Sequence, residues 1–142
     1  MIAVDTNILV YAHDERSPAH ERAQVAVERL RRQPAWGLPW IVAGEFYAVL
    51  TNPRRWRAPD VDYALAALEV LIRSPGARLL SEPPQLWELL KPLLVAARPL
   101  GASVHDARIA AVCLAGGVTE LWSSDRDFGW YPQLRVRNPL VV

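Results

Sequence analysis

Short apolar runs alternate along this chain with longer stretches in which apolar residues recur every three or four positions, a pattern that predicts strands followed by helices. Ile2-Ala3-Val4 is brief and biased towards β-branched side chains, as a buried strand requires. Asp5-Thr6-Asn7 follows, three residues whose side chains compete for backbone hydrogen bonds and so favour caps and turns. From Ile8 to Tyr11 the apolar pattern resumes as a helix. Ser17-Pro18 is a second helix start. Beyond it Ala19, Ala23, Ala26, Val27 and Leu30 share one face, Glu21, Arg22, Glu28, Arg29, Arg31 and Arg32 take the other, and Gln33-Pro34 closes the element. Leu38 to Val42 predicts a second strand, broken by Pro39 and leading straight into a helix with the stripe Val42, Phe46, Val49 and Leu50. Glu45 lies near the start of that helix, and Asn52-Pro53 stops it.

The second half repeats the alternation. Pro59-Asp60 opens a helix carrying Val61, Leu65, Leu68 and Ile72, which closes at Ser74-Pro75-Gly76. Ala77 to Leu80 is a short strand. Pro83-Pro84 opens a helix with the cleanest apolar stripe of the chain, Leu86, Leu90, Leu93, Leu94 and Ala97, which Pro92 is expected to kink. After the break at Gly101-Ala102-Ser103, the run Ser103-Val104-His105-Asp106 predicts a capping box on a helix containing Ile109, Ala110 and Cys113. Gly116-Gly117 ends that helix. Val118 to Trp122 is a strand, Ser123 to Phe128 a polar turn, and Leu134 to Val136 a last edge strand. Short strands alternating with helices make the fold class α/β with a mainly parallel sheet. Internal repeats, low-complexity tracts and linkers are lacking.

Composition narrows this picture. At 142 residues, 51% apolar and 22% charged, residues 1–142 are expected to form one folded domain. The longest charge-free run, Gln33 to Gly44, is too short to span a bilayer and contains Pro34, Gly37 and Pro39, so no membrane association is expected. No basic segment precedes a long apolar one at the N-terminus, which argues against a secretory signal. The single cysteine, Cys113, has no internal disulfide partner and reads as a small core residue. Together these predict a cytoplasmic protein. The net charge is only +1, yet 15 of the 16 basic residues are arginine, with Lys91 the exception. Arginine suits bidentate phosphate contacts, and a GC-rich genome produces the same bias. Arg54-Arg55-Trp56-Arg57 is the densest basic cluster, suited either to phosphate contacts and base stacking or to a solvated loop.

The acidic residues carry the sharper signal. Asp5 follows the first strand, Glu45 opens the helix after the second, Asp106 opens another helix, and Asp125 follows a late strand. A parallel sheet gathers such points along one edge, where open α/β proteins bind ligands. Each acid taken singly is explained as a helix or turn cap. Taken together they form a costly cluster, since like charges about 4 Å apart repel by about 4 kcal/mol at an effective dielectric of 20. Protons or cations must compensate it. With all-oxygen donors and no histidine or cysteine cluster, the cation is expected to be hard, Mg²⁺ or Mn²⁺ rather than zinc.

Asp5-Thr6-Asn7-Ile8-Leu9, then His105-Asp106-Ala107-Arg108-Ile109-Ala110-Ala111, then Ser123-Ser124-Asp125-Arg126-Asp127-Phe128 resemble, in this order, the motifs of PIN-domain ribonucleases. Length and layout are similar to the VapC toxins of bacterial type II toxin–antitoxin pairs, and the resemblance covers nearly the whole chain. It implies a PIN-like α/β/α sandwich and Mg²⁺-dependent hydrolysis of RNA phosphodiester bonds, the ion polarising a phosphoryl oxygen and acidifying the attacking water. Asp5, Glu45, Asp106 and Asp125 match the family's acidic quartet, as metal ligands and catalytic residues, with Asp127 a possible fifth. Ser123 stands where relatives usually have threonine, and the hydroxyl is retained. Thr6, Asn7 and Ser123 are expected to orient water or carboxylates, and Arg108 and Arg126 to neutralise substrate or a nearby acid. His105 is expected to point elsewhere. The resemblance further implies a VapB-like antitoxin that blocks the site, received on exposed apolar surface of the second to fourth helices, and a homodimer.

Other readings remain open at this point. A housekeeping PIN nuclease would share every motif. A catalytically silent PIN-like binding module would be expected to have lost acids, and the quartet is intact. Receiver domains need paired acids near the first strand and a lysine after a late strand, but Lys91 lies in a helix. Aspartate-nucleophile phosphatases need Asp-x-Asp where this chain has Asp5-Thr6-Asn7.

Overall fold

The computed structural model describes residues 1–141 and contains one sheet of five parallel strands. In chain order the elements are β1 (Ile2–Val4), α1 (Thr6–Tyr11), α2 (His20–Arg31), β2 (Trp36–Pro39), α3 (Trp40–Leu50), α4 (Val61–Ile72), β3 (Ala77–Leu80), α5 (Leu86–Ala97), α6 (Val104–Ala115), β4 (Glu120–Trp122) and β5 (Arg135–Arg137), with 3₁₀ turns at Gly101–Ser103 and Arg126–Trp130. The strands lie in the order β3-β2-β1-β4-β5. β1 therefore sits at the centre, and the chain leaves it towards β2 on one side and returns on its other side as β4. That reversal opens a crevice at the carboxyl ends of β1 and β4. Val4 pairs with Trp122, so the residues that follow the two strands, Asp5 and Ser123, are brought side by side.

The three central strands, β1, β2 and β4, are largely core, and the edge strands β3 and β5 are partly exposed. Ala3, Val4, Trp36, Leu38, Leu121 and Trp122 are all buried. Helices cover them through Ile8 and Leu9 of α1, Val42 and Phe46 of α3, and Ile109, Ala110, Val112 and Cys113 of α6. Helix α1 packs on α2 and α3, α3 on α4, and α5 on α6. Small residues let β1 and β2 lie close. A methyl added at Gly37 would come within 2.9 Å of Leu80 Cδ1 and 3.1 Å of Ala3 Cβ. Among the described residues no helix is long and apolar enough to cross a membrane.

Several expectations move. The second strand is Trp36–Pro39 rather than Leu38 to Val42, and α3 begins at Trp40. Proline holds the extended turn between them at φ −60°, ψ 136°, and the burial of Val42, Ala43, Phe46 and Leu50 has helical spacing. Helix α2 starts at His20, because the Ser17 hydroxyl accepts a bond from the Ala19 amide in a turn of its own and does not cap the helix. Ser103 likewise makes no side-chain cap on α6. The expected capping box does not form, and Asp106 is left free of that duty. On α4 the buried residues are Ala64 and Leu71, while Val61, Leu65 and Val70 of the apolar side stand about half exposed. On α5 only Leu93 is fully buried.

Candidate active site

Asp5 ends β1 and caps α1, and its two oxygens are separately occupied. Oδ1 accepts from the Thr6 amide (2.8 Å), and Oδ2 accepts from the Ser123 hydroxyl (2.8 Å) and the Asn7 side-chain amide (3.2 Å). Asn7 reaches across as well. Its carbonyl oxygen accepts from the Ser124 amide (3.2 Å), and its Nδ2 lies 3.3 Å from Ser123 Oγ. The Ser123 hydroxyl in turn accepts from the Asp125 amide (3.0 Å). Thr6 donates its hydroxyl to Glu45 Oε2 at 2.7 Å, tying α1 to α3. The polar run Asp5-Thr6-Asn7, legible as a turn in the sequence, thus clamps three distant segments at the crevice. Asp125 caps the following 3₁₀ turn through the Asp127 amide (2.9 Å).

Asp106 comes in from the first turn of α6 and, among the described residues, makes no side-chain hydrogen bond. It lines one cavity of about 270 Å³ together with Asp5, Glu45 and Asp125, so the four predicted acids do converge. Asp127, the possible fifth, belongs to the group as well. Oxygens of Asp106, Asp125 and Asp127 all lie within 4.8 Å of one another. Among the described residues none of these five acids is in an ion pair. The charge is visible in their protonation. Burial first, then Asp125, Asp5, Asp127 and Glu45, push the Asp106 carboxyl up to about 6. Asp5 also rises to about 6, chiefly through burial, with its bonds from Ser123 and the Thr6 amide pulling the other way and Glu45 and Asp125 adding to the rise.

The predicted basic residues fall into two sets. Arg55 lines the same cavity, yet its guanidinium is held by Asp14 (3.0 Å), a buried acid that Arg16 also binds at 3.0 Å. Hydrogen bonds from Arg16, with its charge and that of Arg55, hold the Asp14 carboxyl below the usual carboxylate range. Arg16 lies 4.7 Å over the Trp56 ring and Arg55 5.6 Å from it, while the indole N–H donates to the Val49 carbonyl at 2.7 Å. Trp56 is therefore a pin that anchors the loop and not an open stacking platform. Arg54 and Arg57 are exposed. Arg108 is engaged by Glu82 at 2.8 Å and is not paired with a site acid, and His105 is exposed. Sequence reasoning missed Asp14, whose only signal was its place between two helices beside Arg16. It also missed Tyr131, which is buried beside Asp106 and Asp127 and whose hydroxyl burial and those two acids push above its usual value.

A family model for the PIN domain matches residues 2–132. Ribonuclease VapC48 of Mycobacterium tuberculosis is 31% identical over 137 residues, covering 95% of this chain and 94% of its own. Ribonuclease VapC43 of the same species is 34% identical over 142 residues, covering 99% of this chain and 96% of its own. Among solved structures, VapBC2 from Rickettsia felis bound to a DNA fragment from their promoter superposes with a TM-score of 0.71 at 18% identity, over 97% of this chain and 98% of that one.

Proposed function

Since the chain belongs to the PIN-domain family of VapC ribonucleases, we propose that it is a metal-dependent endoribonuclease and the toxin of a toxin–antitoxin pair. The observation that carries this reading is the convergence of Asp5, Glu45, Asp106 and Asp125 in one cavity, with no cationic side chain among the described residues paired to any of them. Asp127 adds a fifth charge. Burial and the neighbouring acids push the Asp5 and Asp106 carboxyls up to about 6, so a cation bound among them would relieve a repulsion already present.

The donor set fits a hard divalent cation, being all carboxylate oxygen with three donors already within 4.8 Å of one another. Asp5, Glu45, Asp106 and Asp125 would hold it, with Asp127 in support, and Mg²⁺ or Mn²⁺ suits them equally. Bound there, the cation supplies Lewis-acid polarisation of the phosphodiester and acidification of the attacking water.

The chain's own part is orientation. Ser123, Asn7 and the Thr6 amide fix both Asp5 oxygens, and Thr6 fixes Glu45, so these carboxylates need no rearrangement when substrate arrives. Asp106 lacks such bonds and sits in the first turn of α6, where the helix dipole favours its ionised form once the cluster is neutralised. Arg55 presents a positive charge on the cavity wall without quenching the acids, because Asp14 holds it aside, and there it meets the phosphate backbone of RNA. The half-exposed apolar residues of α4, Val61, Leu65 and Val70, offer the surface on which we place a VapB-like antitoxin. The apolar flank of α5 suits a second copy of the chain.

Cleavage of end-labelled RNA by purified, antitoxin-free protein tests the reading, with Mg²⁺ or Mn²⁺, with chelator, and with Asp106→Asn. Metal-dependent cuts that vanish in the variant are expected. Intact RNA under both metals would favour a silent binding module, and activity surviving in Asp106→Asn would displace the site.

A further inference from the structure

Asp125 walls two cavities, the carboxylate one and a neighbour of about 390 Å³ at the carboxyl ends of β4 and β5, which Arg126 and Asn138 also line. That neighbour meets a third cavity, of about 330 Å³, at Val141, where the segment after β5 lies along α2. Arg22 donates to the Leu140 carbonyl (3.2 Å) and holds the segment on the helix. Arg29 lines the same cavity and lies 6.0 Å from the Trp122 ring, and Trp122 pairs in register with Arg137 of β5. Charge is distributed unevenly along this path. Arg22, Arg29, Arg126 and Arg137 are exposed and, among the described residues, join no ion pair. Arg16, Arg32, Arg55, Arg73, Arg108 and Arg135 are each tied to an acid. The acids lining the two further cavities are Glu21 and Asp125. On the opposite flank of the site, the hollow beside Asp106 sets two acids, Asp106 and Asp127, against Arg98 alone.

We propose that this path carries the RNA strand on one side of the cut, its backbone phosphates lying on Arg126, Arg29 and Arg137. The inference rests on the ribonuclease reading and adds to it a binding track with a direction. Continuity selects RNA over an acidic polypeptide. A phosphodiester held beside Asp125 belongs to a chain that leaves the cavity, and the flank beyond Asp125 has the surplus of free guanidinium groups. RNA carries a charge at every nucleotide, and the arginines repeat likewise, Arg22 and Arg29 standing about 10 Å apart along α2. Trp122 is 2% exposed and offers no face for base stacking. Contacts of this kind go to phosphate, so the track raises affinity and reads no sequence.

The test measures affinity for end-labelled single-stranded RNA by fluorescence anisotropy in chelator, where nothing is cut, between about 50 and 200 mM salt. Wild type is compared with Arg29→Gln, Arg126→Gln, Arg137→Gln and the triple variant. Arg78→Gln is the control, an exposed arginine on β3 at the other edge of the sheet that joins no ion pair among the described residues. Each single change is expected to reduce the slope of log affinity against log salt by about 0.7, and the triple change by about 2, with Arg78→Gln leaving it as it is. Cleavage with metal of substrates shortened from either end then reads the direction. Shortening from one end should raise KM in the wild type, and the triple variant should be indifferent to that end. The altered side chains are exposed, and far-UV circular dichroism checks that the variants fold. An unchanged slope in the triple variant would overturn the proposal. So would a polyglutamate peptide of equal charge binding the wild type more tightly than RNA, which would give the path to an acidic protein segment. A wild type that cuts no RNA but keeps the arginine-dependent slope would fail the ribonuclease reading and uphold the track, and cutting with an unchanged slope would do the reverse.

Discussion

The Ser123 hydroxyl donates to Asp5 Oδ2 over 2.8 Å and joins the carboxyl ends of β4 and β1 across 118 positions of sequence. The same oxygen accepts from the Asp125 amide and is 1% exposed as a residue. Ser123→Ala would leave that amide without its partner and Asp5 Oδ2 with the Asn7 side-chain amide alone. A loss of about 1–3 kcal/mol in urea unfolding is expected. The bond also lowers the Asp5 pKa, so the acid limb of the pH–rate profile moves towards higher pH in the variant. Ser123→Thr keeps the hydroxyl and is expected to hold the limb in place. An unmoved limb in Ser123→Ala would remove the bond from the account of the site.

Asp106→Asn is expected to abolish cleavage and yet stabilise the metal-free protein at pH 7.5. The wild-type carboxyl stands near 6 in the fold against 3.8 as a free group, so the folded state binds more protons between those values. Its penalty is fully present above pH 6 and is relieved as pH falls through that range. Asp106 is substantially solvated, which reduces the gain to about 1 kcal/mol. The difference in Tm between variant and wild type should shrink towards pH 5. Using the difference cancels His13, whose pKa burial lowers and which destabilises on acidification in both proteins. A variant less stable than wild type at pH 7.5 would contradict the repulsion described for this cluster.

Divalent cation and proton compete for the same oxygens. Saturating Mg²⁺ or Mn²⁺ is therefore expected to raise Tm by several degrees at pH 7.5 and hardly at all at pH 5, below the values near 6 of Asp5 and Asp106. Differential scanning fluorimetry across that range reads it directly. A shift independent of pH would mean that the metal binds elsewhere.

Asp14 holds both Arg16 and Arg55 from a buried position. Asp14→Asn leaves two guanidinium groups with a neutral partner and is expected to cost about 1–3 kcal/mol. Limited proteolysis should then cut within residues 52–58 earlier than in the wild type. With Arg55 released from its place on the cavity wall, KM for RNA should rise several-fold. Wild-type proteolysis kinetics would show that the loop is anchored by other contacts.

Arg98 adopts φ 51° at the end of α5. Arg98→Gly relieves the clash of its Cβ and is expected to stabilise the fold by about 1 kcal/mol in denaturant titration. A destabilised variant would mean that the arginine side chain supports the fold at that corner.

The strand–helix alternation was readable because burial and period coincide in it. β3 at Ala77–Leu80 and α4 from its Asp60 cap stand where the turn signals placed them. The misplaced start of α3 shows the limit. Trp40, Ile41 and Val42 suit a strand by propensity, and only the packing of Val42, Ala43 and Phe46 makes them helical. The convergence of Asp5, Asp106 and Asp125 followed from a parallel sheet and their places at strand ends and a helix start, whereas Glu45, expected near the start of its helix, lies in the middle of α3 and reaches the cavity from there. Asp127 was harder to judge, since a residue in a short polar turn is aimed by that turn and not by its spacing. The Asp14 anchor and the place of Tyr131 beside Asp106 were not readable, because each depends on contacts between elements far apart in sequence.

The central place of β1 has a consequence for synthesis. Its neighbours in the sheet are β2 and β4, and Asp5 and Asp125 reach the crevice from nearly opposite ends of the chain. A polypeptide emerging from the ribosome shows Asp5 about 120 residues before Asp125 and cannot complete the cluster until the turn after β4 is out. At about 5–20 residues per second, that interval is on the order of ten seconds. Throughout it the growing chain has no assembled centre to turn on the RNA around it.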